Sequence, residues 1–243
     1  MLKEILFLAV VFFSNVIQCV TGFAGTVLAM PPSIMLVGYA AAKPILNVLG
    51  IASSAGVVSI NYKSINKKEF LKITFVMLSG IVGGIYISGY FEKYAKALYT
   101  VLGVTVVAIA VINSVKFFSK KESKEQPELI SLLLLIFSGL IHGVFVCGGP
   151  LLVTYASAKL KDKNEFRSTL SAVWIVLNTV ILFSDIRSGG FDKYTLVLLL
   201  ICLAVLVFAV FLGNIISKKL NKSAFLVITY ALMLISGISL IFK

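Results

Sequence analysis

Acidic residues are scarce in this chain of 243 residues: ten Asp and Glu stand against 22 Lys and Arg, with a single His and a single Trp. Inside the apolar sequence they are scarcer still. Asp185 lies at the end of an apolar run, and Asp162, Glu165 and Asp192 read as loop residues. A carrier of metal cations keeps carboxylates within the membrane, so this composition argues against one. One His without Cys or carboxylate partners at ligand spacing makes a poor metal site. Cys19, Cys147 and Cys202 sit apart in apolar sequence, without the paired spacing of zinc sites or disulfide frameworks. A catalytic triad, a Walker phosphate loop and a nucleotide fingerprint are missing too, so the expectation is a non-enzyme with no cofactor and no metal. ATP-driven transport would need another chain.

What the chain has in abundance is apolar sequence: 59% of residues are hydrophobic and 13% charged. Apolar runs occupy 5–38, 44–61, 70–90, 94–117, 128–158, 166–184, 194–216 and 222–242, and most have the roughly 20 residues a helix needs to cross hydrocarbon. None shows the two-residue alternation of barrel strands. The expected fold is an all-α polytopic membrane protein, about eight helices counted by runs, in the inner (cytoplasmic) membrane. Lys3 and the stretch up to Cys19 imitate a signal peptide only crudely, because apolar sequence resumes at once. Connections are too short for a soluble domain. The +12 net charge lies in loops that meet anionic lipid, and no basic stretch interleaved with exposed aromatics suggests nucleic acid.

The order of features repeats. Tyr39-Ala40-Ala41-Ala42-Lys43 recurs as Tyr155-Ala156-Ser157-Ala158-Lys159, after Pro31 and Pro150 respectively, and Gly84, Ile87 and Ser88 match Gly213, Ile216 and Ser217 at one offset. The chain therefore divides into a first transmembrane repeat at 1–117, a cytoplasmic linker at 118–127 and a second repeat at 128–243. The first run of each repeat is broken, at 21–25 and at 142–150. If each broken run is a hairpin, the loops of one face hold fifteen of the 22 basic residues, Arg167 among them; if each crosses once, the split is twelve to ten. The positive-inside rule favours hairpins. A hairpin plus three spans leaves each half on the side opposite its start, so the halves are expected to be inverted repeats with both termini outside, an architecture of secondary transporters.

Non-helical backbone at membrane depth survives only where protein buries it or a ligand reaches it, so the two breaks mark the candidate site. Gly148 and Gly149 ahead of Pro150 leave bare N–H groups at the positive end of a helix dipole, suited to an anion, and Gly22 and Gly25 play the same part in the first half. Gln18, Thr21, His142, Asn47 and Asn178 are candidate hydrogen-bond donors, joined by Asn15 and Ser53. The glycine pairs Gly80 with Gly84 and Gly139 with Gly143 read instead as helix-packing contacts. His142 has two readings, a proton-linked group or a helix-to-helix hydrogen bond.

At Thr21-Gly22-Phe23-Ala24-Gly25 with Pro31, and at Gly139-Leu140-Ile141-His142-Gly143 with Gly148-Gly149-Pro150, the sequence resembles the TauE/SafE family of sulfite and organosulfonate exporters, also grouped with toluene-sulfonate uptake permeases. The resemblance implies transport of sulfite, thiosulfate, sulfoacetate or a related anion. Cys147 departs from the small residue often found there. Three readings follow: a secondary carrier of a small anion by alternating access; a membrane-embedded sulfur-relay or thiol protein using Cys147; and a non-transporting subunit of a larger complex. The partners expected are a small anion and anionic lipid, with homo-oligomerisation left open.

Overall fold

The computed structural model describes residues 2–119, 127–219 and 222–242, so most of the linker expected at 118–127 lies outside the described residues. Those residues form ten α-helices: α1 (Leu2–Thr21), α2 (Ala24–Val37), α3 (Tyr39–Asn61), α4 (Lys67–Ser88), α5 (Phe91–Phe118), α6 (Glu128–Phe145), α7 (Gly149–Lys159), α8 (Lys163–Arg187), α9 (Lys193–Lys219) and α10 (Lys222–Ile241). Six of them, α1, α3, α4, α6, α8 and α9, are long and apolar enough to cross a membrane. The chain is a multi-pass membrane protein. Counting by apolar runs gives eight helices; the count rises to ten because the first run of each half is divided.

Polar residues set the starts of the long helices. Asn66 caps α4 by accepting from the Glu69 N–H at 3.0 Å, and Asp162 caps α8 by accepting from Asn164 and Glu165 at 2.9 Å each. Each side chain satisfies orphan donors of a first turn. Asp192 accepts from Thr195 N–H at 2.8 Å and opens α9 in the same way.

The helices pair across the two halves. α4 runs beside α6, and a Cβ at Gly143 would lie 2.7 Å from the Ile81 carbonyl and 2.9 Å from the Gly84 Cα. Gly80, Gly84, Gly139 and Gly143 are thus the small residues that let these two backbones approach, as their spacing predicts. Gly213 of α9 does the same toward α1, its missing Cβ 2.9 Å from the Val16 carbonyl. α3 lies antiparallel to α8: Lys43 meets Asp185, Asn47 meets Asn178, and Asn66 just beyond α3 meets Glu165. α5 lies antiparallel to α10, with Gly103 against Gly237 and Ile241.

The repeated pentapeptide does not hold its place. Tyr39–Lys43 opens α3, whereas Tyr155–Lys159 closes α7, because the first half turns at Gly38 before the motif and the second half turns after it. Gly84 and Gly213 do occupy matching places, one against α6 and the other against α1.

Candidate functional site

The first break is a two-residue interruption. Gly22 has φ +83°, a left-handed conformation open to glycine at little cost, and it turns the chain from α1 into α2. The second break runs from Val146 to Gly148. Val146 has φ +56° and ψ +28°, and a β-branched residue in that region is held there only by its surroundings. Its N–H donates to the His142 carbonyl at 2.7 Å, closing α6. The sequence places the start of this break at His142, but helix continues through Phe145, since the apolar run there supports it.

The two tips touch. A Cβ at Gly149 would lie 2.9 Å from the Phe23 carbonyl, and the Cys147 thiol donates to the Thr26 carbonyl at 3.4 Å. Trp174, halfway along α8, donates from Nε1 to the Gly22 carbonyl at 2.8 Å and lays its ring beside His142, with centroids 4.7 Å apart. His142 Nδ1 accepts from Gly148 N–H at 3.3 Å, so its proton sits on Nε2 and is donated to Asn178 Oδ1 at 2.7 Å. Asn47 Nδ2 in turn donates to the Asn178 carbonyl at 3.0 Å. Gln18, Thr21, Asn47, His142, Cys147 and Asn178 are all buried.

The structure therefore brings the sequence candidates into one cluster, but it changes what several of them do. Of the N–H groups expected to be bare, those of Gly22, Gly25 and Gly148 are engaged: Gly22 donates to the Gln18 carbonyl at 2.7 Å and Gly148 to His142 Nδ1 at 3.3 Å. Thr21 Oγ1 accepts from Phe23 N–H at 3.1 Å and Ala24 N–H at 3.0 Å, and Gln18 Oε1 accepts from Gly25 N–H at 2.8 Å. The oxygens of Gln18 and Thr21 receive the backbone, because buried N–H groups take the nearest acceptor, while the donors expected of them, the Gln18 amide Nε2 and the Thr21 hydroxyl proton, are not used in these bonds. Gly25 is glycine for proximity, since a Cβ there would lie 2.5 Å from Gln18 Cβ. Asn15 and Ser53 bond within their own helices, to Val11 and Gly50.

Three features escaped the sequence reading. Lys43 and Asp185 form a buried ion pair at 2.9 Å between α3 and α8, so Asp185, near the end of α8, is an interior group. Trp174 gave no signal beyond its rarity. Arg167, counted above among loop charges, is instead buried in α8, 5% exposed. Its Nη1 donates to Ser217 Oγ at 3.2 Å and Nη2 to Asn214 Oδ1 at 2.6 Å. The spacing Arg167, Ser171, Trp174, Asn178 follows one face of α8 and was the available clue. Among the described residues no group of three His, Cys, Asp or Glu could hold a metal ion.

The family model for the sulfite exporter TauE/SafE matches residues 6–240, nearly the whole chain. Comparison with curated proteins and with solved structures returns no match.

Proposed function

We propose a function from one premise: the chain belongs to the sulfite exporter TauE/SafE family, and as a multi-pass membrane protein it is a secondary carrier of a small anion. The substrate class is sulfite, thiosulfate or an organosulfonate, and the membrane is the inner (cytoplasmic) one. The observation that carries this reading is the meeting of the two tips, where Gly149 lies against Phe23 and Cys147 bonds Thr26. Broken backbone from both halves converges inside a membrane protein, with no carboxylate among the tip residues to repel an anion. Such convergence at the interface of two repeats is where secondary transporters bind their substrates.

The helix pairings support inverted repeats. Exchanging the five helices of one half for those of the other maps the α1 with α9 contact onto α6 with α4. It maps α3 and α8 onto each other, and α5 and α10 likewise. Two equivalent helices run antiparallel when the two-fold axis lies across them, in the membrane plane, and both of these pairs are antiparallel. Rocking one half against the other would then open the tip region to each side in turn.

The test is flux. Purified protein in sealed liposomes should take up radiolabelled sulfite or thiosulfate saturably, and the same anions should raise its unfolding midpoint by binding the folded state. Absence of both responses across sulfite, thiosulfate and sulfonates would sink the reading. The sulfur-relay alternative needs a reactive thiol, whereas Cys147 is 2% exposed and engaged with Thr26, so no observation favours it.

A further inference from the structure

We propose that Arg167 supplies the fixed positive charge of the anion's path, forming with the hydroxyls of Ser168 and Ser171 an oxyanion site beside the first break. The inference rests on the carrier reading and goes further by naming the residues that recognise the charge. Arg167 lies directly on that break, its backbone and stem within 3.4 Å of where a Gly22 Cβ would be. Among the described residues no carboxylate lies within ion-pair distance of it. Its two hydrogen-bond partners, Asn214 and Ser217, are neutral, and Nε is buried without any partner. A guanidinium does not lose its proton, so a buried one without a counter-charge is costly until an anion supplies it.

A second cation comes to the same place. Lys163, one turn earlier on α8, donates to the Ser217 carbonyl. Ser168 and Ser171, buried at 1% and 0%, also have no hydrogen-bond partner. Thr179 on the same helix shows the usual alternative, bonding back to the Ile175 carbonyl at 2.6 Å. The two serines decline that bond and remain as spare donors. Ser171 lies one turn beyond Arg167 on the same face, and Ser168 lies three residues before Ser171, within its reach on the helix surface. A forked cation with two flanking hydroxyls matches the oxygens of a sulfite or sulfonate head.

The experiment is calorimetric titration of purified full-length protein with sulfite, comparing wild type, Arg167→Gln, Arg167→Lys and the double variant Ser168→Ala with Ser171→Ala, each checked by its unfolding midpoint without anion. Arg167→Gln should weaken binding at least about tenfold, the double variant about three- to tenfold, and Arg167→Lys least, as expected for charge-assisted bonds. Wild-type affinity in the folded Arg167→Gln protein overturns the proposal while leaving the carrier reading standing. If Arg167→Gln does not fold, the serine double variant decides on the same criterion. Failure of wild type to bind any sulfur oxyanion is a different outcome, and it removes the carrier reading itself.

Discussion

His142 at the end of α6 donates its only ring proton to Asn178 in the middle of α8, and the same Asn178 receives Asn47 of α3 on its backbone carbonyl. One asparagine thus joins three helices directly behind the second break. The neighbouring N–H of Gly148 fixes the tautomer that makes the bond.

Replacing Asn178 by Leu leaves the His142 Nε2–H buried without an acceptor. The expected loss is about 1–3 kcal/mol, read as a lower unfolding midpoint in detergent. Adding His142→Leu to it should recover part of that loss, because two apolar groups then face each other. An unchanged midpoint in the single variant would show that the bond carries no stability.

Gly149→Val should abolish flux, since a side chain there meets the Phe23 carbonyl and pushes the tips apart at an overpacking cost of about 1–3 kcal/mol. Gly38→Ala is the control. Its φ of +79° with ψ of 162° lies in a region essentially confined to glycine and costs an alanine about 1–3 kcal/mol, but nothing lies within 4 Å, so flux per folded molecule should persist. Equal flux in both variants would remove the tips from the transport path.

Lys43→Met or Asp185→Leu alone should each destabilise the protein by about 3–5 kcal/mol, because each strands a buried charge. The double variant should be more stable than either single one. A double variant that is the least stable of the three would mean that the pair is a net contributor in its own right.

Cys147→Ser keeps a donor for the Thr26 carbonyl and should leave sulfite uptake within about twofold of wild type, as a conservative change at a neutral bond allows. Complete loss of uptake in a folded variant would return the thiol reading to first place.

Lys63→Cys and Ser188→Cys should be labelled by a membrane-impermeant maleimide from opposite faces, Lys63 from the cytoplasm and Ser188 from outside. Both positions are exposed, and the three native cysteines are buried, so background labelling is low. Labelling of both from one face contradicts an arrangement of spans on either side of α8.

Much of the candidate site was legible because glycine and proline in apolar sequence have few uses. Gly22 and Gly148 were readable as breaks for that reason, and the paired glycines of α4 and α6 as close packing. Cys147 and Asn178 were named without their partners being known. What misled was local similarity: the Tyr-Ala-x-Ala-Lys copies look equivalent along the chain, yet one opens a helix and the other ends one. Arg167 was sorted with the loop lysines because a count of charges near run ends carries no depth.

By itself the sequence determined that this chain spans a membrane many times as helices, and that two of its apolar runs are interrupted. Those facts follow from hydrophobicity, length and the conformations that glycine permits, all of which are local. Only the tertiary structure decided which groups face each other: Gly149 against Phe23, Lys43 against Asp185, His142 against Asn178, and Arg167 against Asn214 and Ser217. Each of these depends on packing between helices far apart in the chain, where the nearest available partner satisfies a buried polar group and no periodicity along the sequence records which partner that is.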